Sequence, residues 1–456
     1  MVANLPVELV ELIFVHSSSP STIKMLRLTC RSFAEIGFPH LFKPEFTYLH
    51  WRSGDDARRL CSWSWHVRLR SLLRSLTFNL SQIDSDRGRY LSSSFRFQAV
   101  LPEDHHAVLD EGWGEYCDKE ARRKLAGSSF HQDAAQLPAA IARFEALERI
   151  RLVFNECSYD HIVLRRTFAY PTIRYFEPSQ ACNAFELLTK MLVECPHLKA
   201  LEIDRLPVTM RLSREAEHRW DVFASGIGRK LEELRVALDF TGCIYWGVYD
   251  GWGEHVGALL MECWSLKKLA IAKHDYHFSE DHRIKPTMLN RPLLRHNPFR
   301  LTDLKLEGFS VTGEELLGFV RHQISTLKRL RLGGRGIANP RGTSKGGIWL
   351  LEGTWFAFFS GLKAALRSGK GVLERMHLEG DFGQSDASVV EGQELRVFEQ
   401  YDFYPTTDDE WEPIERPVWL SGRLAETALD GSLFETYVLG DQDVPYPGFV
   451  YLSGKV

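Results

Sequence analysis

Through the middle of the chain, apolar positions recur as Leu-x-x-Leu-x-Leu, with other apolar residues standing in for leucine. Eight units fit: Leu73/Leu76/Phe78, Leu147/Ile150/Leu152, Leu198/Leu201/Ile203, Leu231/Leu234/Val236, Leu266/Leu269/Ile271, Leu301/Leu304/Leu306, Leu327/Leu330/Leu332 and Leu373/Met376/Leu378. The last two apolar positions of each unit lie two apart, the period of a strand with one face in a core. Between the units, residues 184–194, 213–225, 253–264, 313–324 and 354–367 have helical spacing, and Thr312 with Glu315 forms a capping box. From Leu198 to Leu231, Leu266, Leu301 and Leu327 the steps are 33, 35, 35 and 26 residues, a spacing suited to a repeated strand–helix unit. The pattern predicts an α/β fold with a curved parallel sheet and helices on its convex side. The competing reading is an α/β enzyme in which leucines meet these spacings by chance.

The first forty-odd residues follow a different period. Leu5, Leu9, Leu12 and Ile13 form a helical stripe, opened by Pro6 and by Glu8 at the positive end of the helix dipole. Ser19-Pro20 repeats the start signal for a helix carrying Ile23 and Leu26, and a third segment carries Leu28, Cys30 and Phe33. Three short helices in about 40 residues rarely bury enough apolar surface to stand alone, so a partner is implied.

This segment resembles the F-box. The matching residues are Leu5, Pro6, Glu8, Leu9, Ile13, Pro20, Leu26, Leu28, Cys30, Arg31, Phe33, Leu41 and Phe42. Thr22 replaces an acid often found there and Phe33 replaces a common Trp, while Cys-Arg-x-Phe and Pro-His-Leu-Phe look like the fungal form. The repeat region resembles irregular leucine-rich-repeat solenoids, although the Asn or Cys that closes their consensus is mostly missing. The resemblance implies an N-terminal three-helix F-box over 1–48 and a leucine-rich-repeat-like solenoid over 49–379, with insertions at 81–136 and 333–347. An acidic segment over 380–456, a candidate cap, would follow. It further implies a substrate-recognition subunit of a Skp–cullin–F-box (SCF-type) ubiquitin ligase. Leu5, Pro6, Leu9, Ile13, Leu26, Leu28, Cys30 and Phe33 would bind the Skp-type adaptor, and the solenoid would hold a target protein. The alternative within the same resemblance is an F-box-bearing scaffold or regulator that delivers no substrate.

Charge refines where that target would sit. Residues 380–456 carry 16 acidic against 4 basic side chains, although the whole chain has a net charge of only −4. The body is therefore mildly basic. Strand alternation turns the non-leucine positions to the open face, where Lys199, Arg235, Lys267, Lys268, Lys305, Arg329 and Arg331 point to an acidic partner or to the chain's own tail. Nucleic acid is not expected, since no compact basic run exceeds Arg122-Arg123-Lys124.

The search for chemistry predicts no catalytic residues, cofactor or metal. The eight cysteines include no Cys-x-x-Cys pair, and no Gly-x-Ser-x-Gly elbow occurs. His274, His277, Asp281 and His282 match no common zinc spacing, and the loop at 333–347 lacks the Gly-Lys-(Ser/Thr) order of a phosphate cradle. Trp63, Trp65, Trp246, Trp252 and Trp264 read as core or interface anchors. No secretory leader or bilayer-length apolar run is seen, so a protein of the cytoplasm, the nucleus or both is expected.

Overall fold

The structure is a computed structural model that describes residues 5–17, 19–42, 44–49, 52–81, 105–125, 135–155, 178–207, 212–239, 252–274, 298–334, 346–385, 398–404, 429–440 and 444–447. The metal candidates His277, Asp281 and His282, and most of the segments 81–136 and 333–347, lie outside these residues.

The N-terminal unit has four short helices where three were expected: α1 Val7–His16, α2 Pro20–Arg27, α3 Arg31–Ile36 and α4 Phe38–Leu41. Pro6 stands at the N-cap of α1 and Pro20 opens α2, both positions where a missing N–H costs nothing. Gly37 separates α3 from α4, and a Cβ at that position would overlap the Phe14 ring. Phe33 of the third expected segment lies in α3, and α4 is a further turn with Pro39 near its start. Val10, Phe14 and Ile23 form the unit's small core, with Leu26, Phe33, Ile36 and Leu41 packed against it.

Among the described residues nine parallel strands make up the body, each beside the next in chain order: β1 Glu45–Leu49, β2 Ser75–Asn79, β3 Arg149–Val153, β4 Ala200–Pro207, β5 Glu233–Asp239, β6 Lys268–His274, β7 Asp303–Glu307, β9 Arg329–Gly333 and β11 Arg375–Ser385. The eight leucine units are eight of these nine strands, and they are adjacent. Their register carries the pattern across the sheet. One ladder runs Phe46, Leu76, Ile150, Leu201, Leu234, Leu269, Leu304, Leu330, Met376. The next core ladder runs Tyr48, Phe78, Leu152, Ile203, Val236, Ile271, Leu306, Leu332, Leu378. Every residue in both ladders is buried.

Helices cover the leucine face: α5 Ser53–Trp65, α8 Leu137–Ile141, α9 Pro178–Leu192, α10 Arg214–Ser225, α11 Trp252–Glu262, α12 Gly313–Gln323 and α13 Trp355–Ala365. Their apolar stripes, such as Phe185/Leu188, Trp220/Phe223, Leu259/Leu260, Phe319/Val320 and Phe359/Leu362, join one core with the strand leucines. Ser213, Thr312 and Thr354 cap α10, α12 and α13 by accepting hydrogen bonds from backbone N–H groups three residues on. A further helix, α7 His105–Leu125, lies within the first insertion.

Both domain boundaries read from the sequence fall inside strands. The first, after residue 48, divides β1, which pairs with β2 along its whole length. The second, after residue 379, divides β11. Its first half pairs with β9, and its second half pairs antiparallel with β12 Phe398–Tyr404. The two-residue strands β8 Ser310–Val311 and β10 Trp349–Leu350 extend the same end, and β13 Leu429–Asp430 pairs with β12. Helix α14 Gly431–Leu439 then buries Phe434 and Val438, with Phe434 against Phe359. Part of the acidic C-terminal segment therefore belongs to the core.

Candidate interaction surfaces

Helix α1 is apolar on two sides. Val10 and Phe14, one turn apart, face inward; Phe33 meets the Phe14 ring edge-on at 5.7 Å and His40 stacks on it at 5.5 Å. The stripe singled out in the sequence faces solvent: Leu5, Leu9, Leu12 and Ile13 are exposed, together with Val7 and Val15. Pro6 is exposed as well, and Leu28 reaches 87% exposure at the end of α2. Leu26 and Phe33 instead pack on the small core, and Cys30 is half-buried at the N-cap of α3. The structure thus divides the eight expected adaptor contacts into an outward five and an inner three. The inward pair Val10 and Phe14 was not distinguished in the sequence, because both stripes of α1 have helical spacing.

The unit sits against the start of the sheet body. Phe38 stacks on His66, which precedes the short helix α6 Val67–Arg70, and the guanidiniums of Arg27 and Arg68 lie over the same Phe38 ring. Phe42 meets Trp63 edge-on, and Trp63 in turn packs on Phe46 of β1.

On the other face of the sheet, the expected surplus of free cations is largely consumed by carboxylates. Arg235 pairs with Glu233 at 2.8 Å, Lys305 with Glu307 at 3.0 Å, Arg329 with Asp303 and Arg331 with Glu379. Arg149 reaches across β4 to hold Glu233 with two hydrogen bonds, because the β4 residue between them in the ladder is the small Ala200. Burial alone would raise the pKa of Glu233; the Arg149 hydrogen bond and the charges of Arg235, Arg149 and Lys268 outweigh it and hold the carboxyl below its ordinary value.

One residue before each strand, a second row follows the sheet edge. Its backbone is hydrogen-bonded in series from Arg74 through Glu148, Lys199, Glu232, Lys267, Thr302 and Lys328 to Glu374. Oppositely charged neighbours pair along it, Lys199–Glu148 and Lys267–Glu232 at 2.8 Å and Lys328–Glu374 at 2.9 Å. The Lys199 hydrogen bond lowers the pKa of Glu148 and raises that of Lys199. Behind this row lies an open groove of about 280 Å³, lined by Arg74, Arg149, Lys199, Lys267 and Lys268 against Glu148, Glu232 and Glu233. Among the described residues Lys268 forms no ion pair within 4 Å, although its charge acts on Glu233.

Candidate chemistry is sparse. Among the described residues no three His, Cys, Asp or Glu side chains are grouped to hold a metal, and no described helix is long and apolar enough to cross a membrane. Burial pushes the Cys195 and Cys263 thiols up to about 12, which keeps them from acting as thiolates. Asp204 accepts hydrogen bonds from the backbone N–H groups of Phe154 at 2.7 Å and Asn155 at 2.9 Å, yet burial pushes its pKa up to about 7.

No protein-family model matches the chain, and no curated protein matches it. What the molecule shows as a whole is its architecture: an α/β chain built on a large parallel sheet of nine strands with helices.

Proposed function

We propose that this chain is an F-box-bearing substrate-recognition subunit of an SCF-type ubiquitin ligase, its helical unit docking on a Skp-type adaptor and its sheet body holding a protein target. The observation that carries the reading is the set of exposed apolar side chains Leu5, Val7, Leu9, Leu12, Ile13 and Val15, with Glu8 and Glu11 exposed among them, on a unit whose own core, among the described residues, has only three buried apolar side chains. So large an apolar surface on so small a unit marks a protein interface. Leu5, Pro6, Leu9, Ile13 and Leu28 then touch the adaptor, while Leu26, Cys30 and Phe33 shape the unit that presents them.

The strand-by-strand order of the leucine units supports an irregular leucine-rich-repeat-like solenoid as the body. Its role is to hold a target near a ubiquitin-charged enzyme, raising the effective concentration of the target lysine; no residue of this chain takes part in bond making. An acidic segment of that target would lie in the edge groove at Lys268, beside the paired Lys199 and Lys267.

A pull-down with a recombinant fungal Skp-type adaptor tests the reading. The intact chain is expected to bind, and a Leu5→Asp, Leu9→Asp double variant to lose binding; equal binding by both sinks the proposal. The extensive self-pairing of the polar face favours a second reading, a scaffold that binds the adaptor without delivering a target. Stabilisation of a bound partner when the chain is deleted from cells separates delivery from scaffolding.

A further inference from the structure

Exposed apolar side chains are unevenly distributed over this molecule. Of the sixteen large ones among the described residues, ten lie between Leu5 and Val67, and the last two of these, Trp65 and Val67, lie beyond the four-helix unit. Trp65 is 68% exposed at the end of α5 and Val67 is 67% exposed at the start of α6. The Arg143 guanidinium covers one face of the Trp65 ring at 3.8 Å.

The residue between these two, His66, is in contact with the helical unit. Leu28 follows Arg27, Arg27 lies over Phe38 at 5.2 Å, and Phe38 stacks at 6.1 Å on His66, the residue between Trp65 and Val67. Exposed cations border this stretch: Lys24, Arg31 and Arg68, with Arg27 half-buried among them and Glu35 the acid paired to Arg31. A partner that covers it needs an apolar surface with an acidic rim.

We infer that the adaptor-binding surface does not end with the helical unit but continues onto Trp65 and Val67, so that one partner grips both the unit and the first helices of the body. This rests on the reading of the Leu9 face as the adaptor site. The consequence is positional. A second grip on α5 and α6 prevents the sheet from swinging about the segment that joins it to the unit, and so holds the target groove at one orientation relative to the adaptor.

The test is a calorimetric titration of a recombinant fungal Skp-type adaptor into the full chain and three variants. Trp65→Ala with Val67→Ser is expected to weaken binding by about tenfold or more, as for an aromatic anchor in an interface. Thermal melting should change little, since both side chains are exposed and only the surface Arg143 contact is lost. Val67→Lys alone, which keeps Trp65 and its Arg143 contact, is expected to weaken binding in the same direction. Leu9→Asp is expected to abolish it. Unchanged affinity for both the Trp65 and Val67 variants, with binding lost in Leu9→Asp, overturns the inference and leaves the F-box reading standing. Unchanged affinity in all three variants overturns both.

Discussion

Adjacent residues of α1 do opposite jobs. Leu9 and Ile13 face solvent while Val10 and Phe14 fill the unit's core, with Phe14 only 1% exposed. Phe14→Ala is therefore expected to destabilise the unit by about 3–5 kcal/mol, the usual range for a buried phenylalanine. Leu9→Ala should change it by no more than about 0.5 kcal/mol in the free protein. Hydrogen exchange of the α1–α3 amides reads both. Asp204 makes a second residue-scale prediction. Its folded pKa of about 7 lies above the ordinary 3.8, so between those values the folded protein holds a proton that the unfolded chain has released. Stability from this group is full below about pH 4 and is lost as pH rises toward 7, at up to about 1.4 kcal/mol per pH unit. Urea midpoints measured across that window should show this component in the native protein and not in Asp204→Asn.

At the scale of elements, the leucine units were readable as strands because alternation with one buried face is written locally into each. The order of strands followed from repetition, since successive similar strand–helix units stack side by side. Strand β1 was missed. Glu45-Phe46-Thr47-Tyr48-Leu49 lacks the leading leucine, and only its pairing with β2 reveals Phe46 and Tyr48 as the first rungs of the two core ladders. The C-terminal boundary falls inside β11, which changes partners midway, from β9 to β10 and β12, and no local signal marks the change. Gly333, at the end of β9, has a positive φ of 81°, and a Cβ there would run into the carbonyl oxygen of Glu379 on β11. Gly333→Ala is expected to cost more than about 2 kcal/mol, combining backbone strain with that clash. Gly318, in the middle of α12, is the control: a Cβ there would have nothing within 4 Å, and alanine should stabilise by about 0.5–1 kcal/mol. Urea denaturation of the two variants checks both signs.

At the scale of the whole molecule, counting charges along the strands suggested an open basic face, and the folded sheet neutralises most of it. Arg149 and Glu233 are 84 residues apart in the chain, and Arg331 and Glu379 are 48 apart, so neither pair is visible without the register that joins them. What remains is a narrower groove around Lys268 at the strand edge and an apolar surface at the N-terminal end. Local sequence was enough for the α/β class, the positions of the leucine strands and the excess apolar surface of the first helices, because each is a periodic property of a few consecutive residues. Which α1 stripe is buried, where the sheet begins and ends, and which cations stay available emerged only in the folded chain. Those outcomes depend on partners brought together from distant parts of the sequence, and proximity of that kind has no local signature.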